Sequence, residues 1–514
     1  MQTGFDVLIV GAGSAGCVLA ARLSGNPSLR VGLIEAGGPA LDPDIANPQA
    51  WPALAGRSYD WGYRTTPQSW TANRRHAWPR GRVIGGSSCI HAMAHMRGHP
   101  RDFEPWAAAT GNARWSYAGL LPAFRRMEDF SGGAGEQHGA GGPLTVMLPD
   151  ADLSPVVRAY MAAARAAGAP WLGDHNTGRM AGVAPNSLTI RDGRRVTTAN
   201  AWLDPLLPRP NLSIIDQALV EHLLLDGSRI TGVAATVKGA AVELSSGVTI
   251  LCAGAIGTPL LLMRSGIGPA DALARAGIAC RADISGVGTN LHDHLLTAGN
   301  VYRAARPVPP SRLQHSESMT YLNSADPSDG AAQPDVVVGC AVAPIVTECF
   351  DPPPYGSAYT LLSGVTHPTS RGSITPTGPS LQDEPCIDPR YLSTEHDRRL
   401  ARAALELART IGGQPALAEW RAEELYPGAQ CRDDAALDAF LQRAVWTHHH
   451  PVGTCRMGLD GDAVVDAELK LRGFEGLYAV DASVMPTITT GPVHAAVLAI
   501  AETFAADIAA PLFA

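Results

Sequence analysis

The chain has 514 residues, too many for one compact core, so two or more packed units are expected. Its 46% hydrophobic and 17% charged residues are those of a globular enzyme rather than a disordered chain. A net charge of -8 with no Lys/Arg cluster offers no landing patch to nucleic acid or an anionic membrane, which leaves small molecules as the expected partners.

From the N-terminus, Phe5 to Val10 reads as a short apolar strand. Gly11-Ala12-Gly13-Ser14-Ala15-Gly16 follows at once, then a helical stretch, Cys17 to Leu23, and a second strand, Val31 to Ile34, closed by Glu35 and Ala36. This is the order of a dinucleotide-binding turn. Gly11 makes the tight turn, Gly13 lets backbone N–H groups approach a pyrophosphate, and Gly16 lets the helix pack on the strand. The helix N-terminus faces the phosphates, and Glu35, 19 residues beyond Gly16, is placed to accept hydrogen bonds from ribose hydroxyls.

Residues 37 to 78 read as loop, and glycine clusters again in Gly81 to Ser88. The tract Gly132 to Gly142 reads as a mobile surface loop, and Asn211 to Ile215 and Arg229 to Val237 as sheet. Near the C-terminus, Gly476 to Val480 reads as a strand, Asp481 to Ser483 as a turn, and Pro492 onward as a helix to about Ala509, with Pro492 at its first position. No export signal is seen, and no stretch reaches the roughly 18 apolar residues of a membrane span, so a cytoplasmic, membrane-free protein is expected. The nine cysteines, without a CxxC pair, read as reduced and mostly buried, with Cys455 notable for its closeness to a histidine run.

That run is Trp446-Thr447-His448-His449-His450-Pro451. Pro451 pushes His450 toward extended geometry, where side chains alternate faces, so His448 and His450 are expected on one side and His449 on the other. Two imidazoles then face one substrate. An inert polar loop and a metal-binding tract are the other readings of three adjacent histidines, but no Asp/Glu/His partner is visible at ligand spacing, so no metal is expected.

Taken together the segments resemble the glucose-methanol-choline oxidoreductases, a flavoprotein family, nearly end to end. The likeness rests on the Gly11 to Gly16 turn with Glu35, on Arg80-Gly81-Arg82-Val83-Ile84-Gly85-Gly86-Ser87-Ser88, on Arg195 to Leu203 and on Gly254 to Gly268. It continues in Gly286 to His294, His450 to Gly458 and Asp481 to Pro486. The resemblance implies an α/β fold (α+β overall), with a Rossmann-like FAD-binding domain and a discontinuous substrate-binding domain built on an antiparallel sheet. The FAD-binding domain is expected at 1–36, 80–95, 190–300 and 450–514, and the substrate-binding domain with its cap loops at 37–79, 96–189 and 301–449. FAD is the implied cofactor, held by Gly11, Gly13, Ser14, Ala15, Glu35, Ala36, Arg80, Val83, Gly85, Gly86, Ser87, His91, Val220, Asp481, Ala482 and His494. Some relatives attach the cofactor covalently to a histidine near His91; ordinary tight binding is expected here.

The implied activity is oxidation of a primary alcohol by hydride transfer to flavin N5. A base must take the hydroxyl proton as the hydride leaves, and an imidazole suits that task near neutral pH. His450 stands at the family's base position. The family's second active-site group, Asn or His at the start of the last helix, is replaced by Pro492, which offers no donor. His448 is therefore expected to orient the substrate oxygen, with Pro492 as a shape element, while His494 touches the cofactor, rests in the core or, after a two-residue shift, partners His450. Proline beside a histidine run points within the family to pyridoxine as the alcohol, giving pyridoxal, with O2 reduced to H2O2. Another primary alcohol (aryl, furan or choline-like) is the alternative, followed by a flavin-containing lyase and a non-catalytic nucleotide-binding protein. The oligomeric state is open, a monomer included.

Overall fold

A computed structural model describes residues 2–513. Its first sheet is built on β1 (Gly4–Val10), whose Val7, Leu8 and Ile9 are fully buried. The chain turns through the glycines into α1 (Ser14–Leu23) and returns in β2 (Val31–Ile34), parallel to β1. Strand β3 (Leu212–Ile215) extends the parallel array, and β4 (Ala218–Asp226), β5 (Arg229–Val237) and β6 (Ala240–Leu251) form an antiparallel meander. The order is β3-β2-β1-β6-β5-β4, because β6 is long enough to pair with β5 early and with β1 late. Helix α2 (Gly254–Arg264) follows β6.

Among the described residues, the second sheet holds β7 (Leu295–Thr297), β8 (Val301–Ala304), β9 (Ser316–Leu322), β10 (Val336–Ala341), β11 (Ala358–Val365), β12 (Arg421–Tyr426) and β13 (Val445–Thr447), all antiparallel. Strand β7 lies in residues that the sequence groups with the nucleotide-binding part, yet it pairs with β11 and β13 of this second sheet. Leu296, Met319, Tyr321, Val337, Ala341 and Leu362 pack as a buried cluster of their own against Met96 and Met180. The chain then rejoins the first sheet through β14 (Leu477–Ala479), parallel to the end of β6.

The last helix, α3, starts at His494 rather than Pro492, with Val493 as its cap, and runs to Thr503. Asp102 accepts hydrogen bonds from the Thr490 backbone N (2.6 Å) and hydroxyl (2.8 Å), so the chain at Pro492 is still held as loop. Continued to Leu512 this helix is long and apolar enough to cross a membrane, contrary to the expectation from sequence, but 72% of its apolar window is buried. Within it Glu502 is buried and bonded to Arg22, Arg126 and Trp202. It is a core helix. The tract Gly132 to Gly142 is likewise less free than expected: His138 plugs it into the interior, bonding Glu128 (2.9 Å) and Asp174 (2.8 Å). These two carboxylates raise the His138 pKa to about 9 against its burial.

Candidate active site

One cavity of about 1240 Å³ runs from the glycine turn to the histidine run. It exceeds the 300–1,000 Å³ usual for a single small ligand, as a site for an extended dinucleotide and a substrate must. At the nucleotide end, Gly11 has φ 104° and Gly16 lies so close to the Gly11 carbonyl that an added Cβ would sit 1.9 Å from its oxygen. Gly86 packs on Gly13, where a Cβ would approach Gly13 Cα to 2.5 Å. The two glycine segments, 73 residues apart in sequence, thus close on each other.

Gly11, Gly13, Ser14, Ala15, Glu35, Ala36, Arg80, Gly86, Ser87, His91, Val220, Asp481, Ala482 and His494 all line this cavity, together with Pro492, His448 and His450. Val83 and Gly85 are not among its lining residues. Val83 is buried and bridged to Gly38, and Gly85 (φ 101°) donates its N–H to the Ala12 carbonyl at 2.8 Å, so they shape the wall from behind. Glu35 accepts from the Ala12 and Gly37 N–H groups, both at 2.9 Å, and burial raises its pKa to about 7. Asp481 accepts from Gly254 N (2.8 Å) and Thr258 Oγ1 (2.6 Å), tying α2 to the segment after β14.

At the other end, β7 and β13 run side by side, with Leu295 opposite Thr447, so His294 and His448 emerge together. His448 N donates to the His294 carbonyl at 2.8 Å. The extended path expected through His449 is not followed: His449 has φ 65°. Its N–H donates to Thr447 Oγ1 (2.8 Å), and His450 N donates to Asp293 Oδ1 (2.7 Å), which turns the chain. Arg80 donates to the His449 carbonyl at 2.8 Å, so it also braces the histidine run. The side-chain arrangement still has the expected sense. The His448 and His450 rings lie 4.4 Å apart between centroids, while His449 turns toward Trp446 at 6.0 Å.

A third imidazole, His294, completes the group, its Nδ1 2.9 Å from His450 Nδ1 and its Nε2 2.8 Å from the Thr366 carbonyl. Ligand atoms of His294, His448 and His450 lie within 4.8 Å of one another, so the partner not seen at ligand spacing comes from far along the chain. Burial first, then neighbouring imidazoles, lowers the pKa of His294 and His448 to about 3 and that of His450 well below 6.5. All three are neutral near pH 7. Asp293, whose pKa burial raises, also accepts from Thr447 Oγ1 and Tyr391 Oη. Asp293, His294, Thr366 and Tyr391 carry no chemical mark in the sequence alone; for Asp293 and His294, at the end of the Gly286 to His294 motif, adjacency to a strand start is the available signal.

His494 does not join this group. It meets His91 edge-on at 4.8 Å. His91 Nδ1 accepts from Arg195 (2.9 Å) and Met93 N (3.1 Å), while His91 Nε2 and both His494 nitrogens are buried at the cavity without a protein partner. Buried polar atoms left unpaired by protein call for a polar ligand. Cys455 is fully buried, its backbone N–H donating to the Ser483 carbonyl at 2.8 Å, and all nine cysteines are free.

A glycine turn of dinucleotide type, an antiparallel second sheet and a buried histidine cluster in the shared cavity fit an FAD-dependent oxidoreductase. The chain belongs to the GMC oxidoreductases: the N-terminal family profile matches residues 5–296 and the C-terminal one 368–501. It is 54% identical over 501 residues to a pyridoxine 4-oxidase of Microbacterium luteolum, covering 97% of this chain and 98% of that protein. The crystal structure of pyridoxine 4-oxidase from Mesorbium loti superposes with a TM-score of 0.96 at 55% identity, over 97% of this chain and 98% of that one. More distant is an oxygen-dependent choline dehydrogenase of Xanthomonas axonopodis, 36% identical over 98% of this chain and 95% of its own.

Proposed function

We propose that the protein oxidises pyridoxine at its 4-hydroxymethyl group to pyridoxal, using FAD and reducing O2 to H2O2. The observation that carries this reading is the likeness, over nearly the whole length, to pyridoxine 4-oxidases. The cavity supports it with three unpaired imidazole nitrogens, on His91 and His494, and with the cluster of His294, His448 and His450. FAD when bound supplies the two-electron acceptor for the hydride leaving the alcohol carbon.

The residues of the chain do the rest. Backbone N–H groups of the turn from Gly11 to Ala15, at the start of α1, suit a pyrophosphate, and Glu35 and Val220 line the nucleoside end. His91 Nε2 and the His494 nitrogens offer hydrogen bonds toward the flavin end. His450 takes the hydroxyl proton, and its burial as a neutral ring keeps it ready for that step. His448, beside it, orients the substrate oxygen. Pro492 narrows the wall next to His448 without offering a donor, as both border a small void with Gly491 and Thr490. The part-domain boundaries follow: residues 1–36, 80–95, 190–300 and 450–514 around the cofactor, less β7, and the remainder around the alcohol. Nine free cysteines support a reducing, cytoplasmic setting.

Anaerobic addition of pyridoxine to the holoenzyme is expected to bleach the flavin, and air to restore it with stoichiometric peroxide. In a panel with aryl alcohols, furan alcohols and choline, pyridoxine should give the highest kcat/KM; a preference for any other alcohol would displace this assignment. His448→Ala should lower the reductive rate by about tenfold or more and also weaken substrate binding, because a group that orients the oxygen contributes to both. Stopped-flow reduction over a range of pyridoxine concentrations separates the two effects.

A further inference from the structure

We propose that His294 and the Thr366 carbonyl set the tautomer of His450, so that its proton sits on Nδ1 and the basic lone pair on Nε2. His294 is then a positioning residue acting through His450; the inference rests on His450 being the base.

A backbone carbonyl only accepts, so the 2.8 Å contact of His294 Nε2 with Thr366 requires a proton on that nitrogen. His294 is buried and neutral, so one proton is all it carries, and its Nδ1 is a bare acceptor. The 2.9 Å contact between the two Nδ1 atoms needs one proton, and only His450 can supply it. A neutral His450 with Nδ1–H has an unprotonated Nε2 at the wall of the cavity it lines. The Asp293 carboxylate, occupied by Thr447, Tyr391 and the His450 backbone N–H, fixes the backbone from which that ring projects.

When the alcohol O–H bond breaks, the proton joins Nε2 and His450 becomes an imidazolium. Its Nδ1–H still points at the His294 lone pair, which stabilises the new charge without any ring movement. Preorganisation of this kind fixes the direction of proton transfer before substrate arrives. Thr366 is itself held, through its hydroxyl, to the Pro334 carbonyl at 2.7 Å, and the adjoining His367 bonds Asp102 at 3.1 Å. The acceptor at the end of the chain of contacts is thus anchored.

The test uses nitrogen-15 spectra of His-labelled holoenzyme, the His450 signals being assigned as those lost in His450→Gln. A protonated Nδ1 and bare Nε2 on His450 is the expected result; a dominant Nε2–H form would overturn the proposal. His294→Leu, with FAD content checked, should lose about tenfold or more in reductive rate with substrate affinity within a few-fold and the His450 tautomers mixed. His294→Asn, which can restore an acceptor near the Nδ1 position, should recover most of the rate. An unaltered rate in His294→Leu, or an Asn variant no better than Leu, would overturn the role of His294. If His450→Gln itself kept near-normal turnover, the base assignment would fail instead, so the two failures are distinguishable.

Discussion

His450→Ala is expected to slow flavin reduction by pyridoxine by about 10²- to 10⁴-fold, the range that a positioned general base contributes, while FAD stays bound. The separation of the two effects follows from the layout. The glycine turn, Glu35, Gly86 and Asp481 line the end of the cavity proposed for the nucleotide, and their backbone and carboxylate contacts run to one another and to Thr258 and Gly254 rather than to the histidine run. The pH dependence follows from burial. With its pKa held well below 6.5, His450 is already in its basic form at neutral pH, so the rate is flat there and falls only as pH drops toward that depressed pKa. An acid limb centred at or above 6.5 would mean that another group controls the rate. Anaerobic stopped-flow across pH checks both statements.

Asp293→Ala is expected to harm both stability and rate, and more than any other single change behind the site. Its carboxylate is buried and accepts from Thr447 Oγ1 at 2.5 Å, Tyr391 Oη at 2.5 Å and His450 N at 2.7 Å. Removing it leaves three donors in the interior without an acceptor, each costing about 1–3 kcal/mol. The backbone turn at His449 keeps its ties to Thr447 and Arg80 but loses the one that holds the His450 N–H, so His450 is freed from the geometry that faces it into the cavity. Thermal unfolding of the holoprotein should show a drop of several degrees, and reductive rate should fall by about tenfold or more beyond any loss of FAD. Asp293→Asn, which keeps one acceptor oxygen, should lie between the two. Unchanged melting in the alanine variant would contradict the network.

The nucleotide end was legible because its constraints are local. Glycine is required where φ is 104° or where a Cβ would meet a carbonyl, and such positions lie within six residues of one another in Gly11 to Gly16. The pairing of His448 with His450 was also legible in outcome, but not in route. The turn at His449 is imposed by Asp293, 157 residues from His450 in sequence, and alternation along a strand carries no trace of it. His294 was hidden by the same distance, 156 residues. Gly85 illustrates a different limit: its glycine is required by backbone conformation, which sequence cannot tell apart from contact with a ligand. Pro492 satisfied the rule for a first helical residue, yet Asp102, from a remote segment, holds Thr490 and delays the helix to His494.

Strand β14 pairs with the end of β6, and Asp481 just beyond it ties the N-terminus of α2. The nucleotide sheet therefore has a seam between its earliest and latest residues. On the ribosome, β1, β2 and β6 emerge with their edge at Leu251 unpaired and the cradle open until the residues around 477–483 have been synthesised. Cofactor capture is therefore expected to come late in the birth of each molecule, after most of the second sheet has been synthesised. A nascent or C-terminally shortened chain carries the whole glycine turn without the wall that closes it, and is expected to expose the edge at Thr249 to Leu251 to chaperones and proteases.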